Sequence, residues 1–146
     1  MRISAFSDVS LRVVILLAAA PDAGLLTSRV ISEGVGSPDN HVSKTIIKLR
    51  DLGLVEVVRG RSGGARISAE GRRATVGWLL RRLDTRTDVA DCETAAGNCP
   101  LVDGCGLRGA LGRAREAFYA ALDDVVIATL PHHGRLSSVS VEILAM

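Results

Sequence analysis

Hydrophobic positions in the first third of the chain recur at helical spacing, in three short segments separated by glycine and proline. The first helix is predicted to begin near Ser7 or Asp8, both good N-cap residues, and to end at Ala20. The second is predicted over residues 28–33, between a threonine that can cap it and two glycines that stop it. The third begins after Ser37, where a cap residue precedes proline. The pattern predicts three short helices joined by tight turns.

The third segment is the most clearly amphipathic of the three. Its apolar stripe has spacings of four, three and three residues and consists of Val42, Ile46, Leu49 and Leu52. Its outer side is polar and basic and carries the candidate DNA contacts Asn40, His41, Ser43, Lys44 and Lys48. Three short helices of which the last has such a face predict a helix-turn-helix, with the third helix entering the major groove.

A short β-hairpin is predicted directly after these helices. Two short segments, Val55-Glu56-Val57-Val58 and Ile67-Ser68, flank a glycine-rich turn, which is typical of two brief strands. The candidate DNA contacts Arg59, Arg61 and Arg66 lie in and beside this turn. A basic hairpin after a helix-turn-helix predicts a winged helix, whose wing brings arginines to phosphates or into a narrow minor groove.

The second half of the chain predicts two further helices. The first covers residues 76–83 and is capped by Thr75. In the second, apolar residues recur every three or four positions: Leu107, Leu111, Ala114, Phe118, Leu122 and Val125. A single helix over residues 107–130 would be about 36 Å long, longer than so small a domain, and its apolar face is therefore expected to pack on a second copy.

These elements predict a mainly α fold with a small β-wing, namely a winged helix-turn-helix followed by a long dimerisation helix. The predicted divisions are a DNA-binding domain (1–83), a cysteine-bearing loop (84–106), the dimerisation helix (107–130) and a tail (131–146). Charge agrees with this division. Residues 1–83 contain 13 Lys and Arg against 7 Asp and Glu, a net of +6, whereas residues 84–146 contain 5 against 9, a net of −4. Only the first part is therefore expected to meet a polyanion.

Composition argues against several classes of protein. The apolar run over residues 13–20 is far shorter than a bilayer span, and no secretory signal precedes it, so no membrane association is expected. With no disulfide pattern, a reducing cytoplasm is the expected location. No histidine has a cysteine or serine partner at a catalytic spacing, and the phosphate-loop and dinucleotide motifs are missing, so the chain is not expected to be an enzyme.

The only cysteines of the chain, Cys92, Cys99 and Cys105, lie within fourteen residues. An odd number of thiols in a loop interrupted by glycine and proline is a poor disulfide framework but can hold a metal or cluster, provided that a fourth ligand comes from elsewhere. The gaps of six and five residues are wider than those usual between zinc-binding cysteines. An iron–sulfur cluster fits better, and three unrelated surface thiols are the alternative.

Several motifs together resemble a known family. They are Phe6-Ser7-Asp8 with Leu11-Arg12, the segment Asn40-His41-Val42-Ser43-Lys44, the wing at residues 58–64, Val76-Gly77-Trp78-Leu79, and the three-cysteine loop that runs into Leu107-Arg108. From Met1 to about Leu130 the chain resembles the NsrR branch of the winged-helix regulators that also include IscR and RirA. The cysteine loop in combination with Asp8 is what points to NsrR.

The resemblance implies a homodimeric transcriptional repressor that binds an inverted repeat in double-stranded promoter DNA. It implies one [4Fe-4S] cluster per subunit, with [2Fe-2S] as the alternative, bound by Cys92, Cys99 and Cys105 and by Asp8 from the partner subunit. Arg12, one turn after Asp8, would contact that carboxylate. Nitric oxide would be the signal, and nitrosylation of the cluster would release the promoter. A role for Asp8 as a helix cap only is the simpler alternative.

Three other interpretations are open. The segment over residues 99–107 also resembles the RirA type, which would make the protein a regulator that senses iron status or redox state, although RirA-like chains lack the aspartate. A ferredoxin-like electron carrier would have no use for a recognition helix and a wing. A regulator stabilised by zinc would be colourless, whereas a cluster protein is brown.

Overall fold

The structure, a computed structural model, describes residues 1–22, 24–94 and 97–130. Its helices are α1 Ala5–Ala19, α2 Ser28–Val35, α3 Asp39–Asp51, α4 Ala69–Arg73, α5 Val76–Leu83 and α6 Gly106–Ala120, with a final 3₁₀ turn at Ile127–Thr129. Its strands are β1 Val55–Val58, β2 Gly64–Ile67, β3 Glu93–Thr94 and β4 Gly97–Asn98. The predicted mainly α fold with a small β-wing is confirmed. The predicted tail, residues 131–146, lies outside the described residues.

Helices α1, α2 and α3 form the predicted helix-turn-helix. The hydroxyl of Thr27 caps α2 by accepting from the backbone of Val30, and Gly36 ends the helix in the left-handed conformation, at φ 65°. The first helix begins earlier than predicted, because Ser4 and not Ser7 is its N-cap: the Ser4 hydroxyl accepts from the Ser7 backbone. Ser7 and Asp8 therefore lie inside the first turn of α1.

An aliphatic core joins α1 to the other elements of the DNA-binding domain. Its fully buried members include Val13, Val14, Leu16, Leu17, Ile31, Val42, Leu49 and Leu79. The stripe predicted for the third helix is thus in the core, except that Leu52 is only partly buried. Because the periodic apolar face of α3 faces inward, the polar residues on its opposite side are directed away from the protein.

The wing is an antiparallel pair in which Val55 lies opposite Ile67 and Val58 opposite Gly64. Leu26 extends the sheet, since its backbone exchanges hydrogen bonds of 2.9 and 2.8 Å with that of Ala65. A side chain at Gly64 would collide with the Leu26 backbone, so this third pairing requires glycine there. The wing is therefore anchored to the segment that leads into α2.

The helix after the cysteine loop is shorter than predicted, because α6 ends at Ala120 and not at residue 130. The chain then turns back onto the DNA-binding domain. The backbone of Val76 donates to Val125 and that of Gly77 to Leu122, and Ile127 is fully buried. The apolar residues at the end of the predicted helix thus belong to the core of the domain and do not continue the outer face of α6.

Two elements were not predicted from the sequence: the five-residue helix α4 and the hairpin of β3 and β4 inside the cysteine loop. Both are too short to produce a recognisable apolar period. In the part of the chain that the structure describes, no helix has the length and apolar character needed to cross a membrane.

Candidate functional site

The outer face of α3 carries the predicted base- and phosphate-contacting residues on the protein surface. All five are exposed: Asn40, His41, Ser43, Lys44 and Lys48. The Asn40 side chain accepts from the backbone of His41 at 2.9 Å, which fixes the amide at the start of the helix. Ile47 is half exposed on the same helix and was not predicted as a DNA contact, because it lies off the apolar stripe. An exposed isoleucine beside lysines can contact a thymine methyl group.

The three wing arginines are not equivalent in the structure. Arg59 and Arg61 are exposed at the tip and form no ion pair with any described residue. Arg66 lies on β2 directly opposite Glu56 and donates to its carboxylate at 2.7 Å. Its charge is therefore partly neutralised within the wing, whereas Arg59 and Arg61 are available to a polyanion.

The cysteines lie on one compact loop between α5 and α6. The backbone of Cys99 donates to the carbonyl of Cys92 at 3.0 Å across the β3–β4 hairpin. Cys105 is the N-cap residue of α6, and its carbonyl accepts from Gly109. All three thiols are free and partly buried. The hairpin thus places Cys92 and Cys99, which are seven positions apart in the sequence, next to each other.

The chemistry of these donors fits an iron–sulfur cluster. Thiolate sulfur is the usual ligand of such clusters, and burial, followed by the negative charge of Asp88, raises the pKa of Cys92. Among the described residues, no three His, Cys, Asp or Glu side chains converge closely enough to bind one metal ion. A cluster does not require such convergence, because each of its cysteines binds a different iron atom.

A largely buried ion pair closes the base of the cysteine loop. Arg108, three residues after Cys105, donates to Asp88, four residues before Cys92, at 2.7 Å. The Asp88 side chain is only 9% exposed. This pair was not predicted from the sequence, although two opposite charges that flank a cysteine loop at similar distances are a usable signal.

Helix α6 holds the linker before the loop by further polar contacts. The Tyr119 hydroxyl donates to Asp84, and Arg115 donates to the carbonyls of Arg86 and Thr87 at 3.0 and 3.3 Å. The hydrogen bond from Arg86 lowers the pKa of Asp84 well below its usual range, with a smaller contribution from Tyr119. We call this set of contacts, together with the Asp88–Arg108 pair, the linker clasp.

The predicted metal ligand Asp8 lies on the first turn of α1, beside the predicted contact Arg12. The Arg12 guanidinium donates to both carboxylate oxygens, at 3.1 and 2.7 Å, and the Asp8 side chain is 43% exposed. Arg12 also donates to the carbonyl of Val35, at 3.4 Å. The arginine therefore connects the carboxylate with the end of α2, directly before the turn that leads into α3.

Comparison with known proteins identifies relatives along almost the whole chain. The family model Rrf2, described as an iron-dependent transcriptional regulator, matches residues 3–133. The chain is 45% identical over 131 residues to the HTH-type transcriptional repressor NsrR of Streptomyces coelicolor, covering 89% of this chain and 88% of that protein. It is 34% identical to the HTH-type transcriptional regulator NsrR of Bacillus subtilis, with 89% and 90% coverage.

Solved structures agree with this fold. The IscR structure from T. potens has a TM-score of 0.66 at 22% identity and covers 88% of this chain and 84% of that chain. The oxidized form of Staphylococcus aureus CymR has a TM-score of 0.66 at 24% identity, with 89% and 95% coverage. The expected winged-helix architecture is confirmed, as is the expectation that the chain is not an enzyme, since the relatives are transcriptional regulators. The chain belongs to the Rrf2 family of DNA-binding transcriptional regulators.

Proposed function

We propose that the protein is a homodimeric cytoplasmic repressor that carries one [4Fe-4S] cluster per subunit and releases promoter DNA when nitric oxide reacts with the cluster. The proposal rests on one combination of ligand residues in a chain of this family. Three free cysteines lie on one loop, and the partly exposed Asp8 carboxylate on α1 is connected through Arg12 to the end of α2. The nitric oxide hypothesis comes from the resemblance to NsrR, and two relatives carry that name. Reduced thiols persist in the cytoplasm.

The exposed apolar side of α6 supports a dimer. Leu107 is 66% exposed, Ala114 is exposed, and Leu111 and Phe118 are only partly buried, although they share one helical face. A second copy can cover this face by packing the same helix against it. Two winged helices related by a twofold axis would then read an inverted repeat, each with α3 in a major groove.

DNA binding follows from the charges on this surface. Lys44 and Lys48 of α3 and the two free wing arginines lie on a domain with a net charge of +6 over residues 1–83. Contacts of lysine and arginine with phosphates position the domain, whereas Asn40 and Ser43 can hydrogen-bond base edges. Affinity is therefore expected to fall steeply with salt.

Cys92, Cys99 and Cys105 would hold the cluster, and Asp8 of the partner subunit would supply the fourth ligand. The bound cluster supplies iron with which nitric oxide reacts. A carboxylate oxygen holds iron less firmly than a thiolate, so its position is the natural one for a small molecule to enter. Residues of two subunits would thereby fix the angle between the two DNA-binding domains.

Arg12 is the residue that can transmit the loss of the proposed bond between Asp8 and the cluster. If Asp8 held a metal, the metal and Arg12 would share its carboxylate oxygens; in the single chain, both oxygens accept from Arg12. Because Arg12 also bonds the Val35 carbonyl, a change at Asp8 alters a contact at the end of α2. The proposed release of DNA thus begins at the contact between α1 and the last residue of α2, within the helix-turn-helix.

The test is the Asp8→Ala substitution, with Glu33→Ala as the matched control. Glu33 also forms an exposed i,i+4 pair with an arginine, Arg29, but is not expected to bind metal. We expect anaerobic Asp8→Ala protein to keep its cluster, to bind the promoter at least about ten times more weakly than wild type, and to respond little to nitric oxide. Glu33→Ala should match wild type. If the promoter affinity and the nitric oxide response of Asp8→Ala both equal those of wild type, the assignment of Asp8 is wrong.

Iron status is the second candidate signal, favoured by the description of the family model as iron-dependent and by the RirA-like segment over residues 99–107. The two signals are separated by titrating the promoter complex with nitric oxide and, in parallel, with an iron chelator under anaerobic conditions. Release at stoichiometric nitric oxide but not with chelator supports the nitric oxide sensor. The reverse result supports the iron sensor.

A further inference from the structure

Asp88 has an unusual environment for a carboxylate. Its side chain is 9% exposed, and its Oδ1 accepts from Arg108 at 2.7 Å. Its Oδ2 is buried and has no hydrogen-bond partner among the described residues. Leaving a buried charged oxygen without a donor is costly, so such atoms in folded proteins usually have a function or a missing partner. A metal ion is a partner of the right charge.

The position of Asp88 at the cysteine loop indicates that the metal is the iron of the proposed cluster. Asp88 precedes Cys92 by four residues in the sequence, and its ion-pair partner Arg108 follows Cys105 by three. The ion pair with Arg108 fixes the carboxylate at the base of the loop that carries all three thiols. Metal-binding carboxylates are commonly held in place by a hydrogen bond to the other oxygen, and Arg108 supplies that bond.

Asp8 differs from Asp88 in its exposure and in the hydrogen-bond partners of its carboxylate oxygens. Within its own chain, Asp8 has both oxygens engaged by Arg12, and its side chain is 43% exposed. Asp88 is nearly buried and has one oxygen unused. Of these two carboxylates, Asp88 is therefore the one prepared to bind the cluster without a second subunit.

We propose that Asp88 is an alternative oxygen ligand of the cluster, which fills the fourth coordination position from within the subunit whenever Asp8 of the partner subunit leaves it. The inference rests on the proposed function. In the exchange, one iron–oxygen bond to Asp8 breaks and one to Asp88 forms; a carboxylate replaces a carboxylate, so no proton or electron is transferred. Arg108 is the positioning residue. The cluster can then remain with its subunit while the contact between subunits opens.

The experiment compares iron release to a chelator from anaerobically loaded, full-length protein. We expect Asp8→Ala and Asp88→Ala each to retain iron as wild type does, because the other carboxylate substitutes. The double variant should lose iron roughly tenfold or more faster than either single variant. Equal rates for the double variant and for Asp8→Ala would overturn the proposal.

Two further variants separate a ligand from a residue that only stabilises the loop. In the Asp8→Ala background, Arg108→Gln removes the ion pair but keeps the carboxylate, so it should release iron more slowly than Asp88→Ala does in that background. Equally fast release would assign Asp88 a structural role only. In the same background, Asp88→Cys should keep the cluster and shift its absorption spectrum, because a thiolate replaces an oxygen. An unchanged spectrum or a lost cluster would contradict the proposal, even if the alanine double variant does not fold.

Failure of this inference differs from failure of the proposed function. If wild-type protein purified and reconstituted without oxygen binds no iron and sulfide, the proposed function is wrong. If wild type is loaded and only the double variant behaves unexpectedly, the assignment of Asp88 alone is wrong.

Discussion

At the scale of single residues, the wing shows how a local partner changes the role of an arginine. Arg61 is exposed at the wing tip without an ion pair to any residue of the described segments, whereas Arg66 is neutralised by Glu56 across the strand pair. Both arginines were predicted from the sequence to contact DNA. The sequence shows that they lie close to a turn, but it does not show which of them lies opposite an acidic residue. Pairing depends on strand register, and the register is fixed only when the hairpin forms.

The Arg61→Ala substitution tests this distinction, with Arg66→Ala as the matched control. Losing one phosphate contact is expected to weaken promoter binding and to reduce the slope of log affinity against log salt concentration by about one per subunit. Arg66→Ala should change the slope less, because its charge is already compensated. Binding measured by fluorescence anisotropy at several salt concentrations gives both slopes. An unchanged slope for Arg61→Ala would remove that residue from the interface.

Helix caps were partly predictable at this scale. Thr27 and Thr75 cap α2 and α5 as predicted, because each is a good cap residue shortly before an apolar period. The start of α1 was predicted too late because Ser4, Ser7 and Asp8 are all good caps within one turn. Because Ser4 is the N-cap residue of α1, the Asp8 carboxylate is not needed as a cap. It pairs with Arg12 and is available as a ligand.

At the scale of secondary-structure elements, the α6 prediction failed in an informative way. Apolar spacing continues through Leu122 and Val125, yet these residues contact the DNA-binding domain after the helix has ended. A periodic pattern reports burial but not the surface that causes it. Two surfaces, one on each side of the turn at residues 121–124, therefore produced the pattern of a single helix.

The contact that turns the chain back is tight at Gly77. A Cβ atom at Gly77 would clash with the Tyr119 carbonyl oxygen and the Asp123 carboxylate. Gly77→Ala is therefore expected to lower the free energy of unfolding by about 1–3 kcal/mol, measured by urea denaturation of apo-protein. The reason is that α5 and the end of α6 must separate to admit the methyl group.

Gly109→Ala is the control for Gly77→Ala. Gly109 is an exposed glycine within α6, where the added methyl group meets only the end of the Arg113 side chain at 3.5 Å. Alanine is the better helix former, so this substitution should raise the free energy of unfolding by about 0.5–1 kcal/mol. Destabilisation by both substitutions to the same extent would contradict a specific close approach at Gly77.

At the scale of the whole molecule, α6 has two different sides. One side holds the linker clasp through Arg108, Arg115 and Tyr119, which follow at spacings of seven and four and so share a face. The adjacent side carries the apolar residues Leu107, Leu111, Ala114 and Phe118. The clasp attaches α6 to its own chain mainly by polar contacts, which leaves the apolar side available to a second copy.

If the apolar side of α6 forms the dimer interface, a charged residue on that side should separate the two subunits. Leu107→Asp places a charge on the apolar face of α6, where Leu107 is already 66% exposed and contributes little to its own subunit. Burying an unpaired carboxylate between two helices is strongly unfavourable, so we expect the apo-protein to sediment as a monomer while its circular dichroism stays unchanged. Analytical ultracentrifugation measures the mass.

Arg113→Asp, an exposed position on α6 away from the apolar face, is the control and should remain dimeric. Because a monomer binds only one half of an inverted repeat, Leu107→Asp should also lose most of its promoter affinity yet retain similar weak binding to a single half-site. If Leu107→Asp remains a dimer with full affinity for the promoter, another surface joins the subunits, and Asp8 of the partner subunit would have to approach the cysteine loop by a different route.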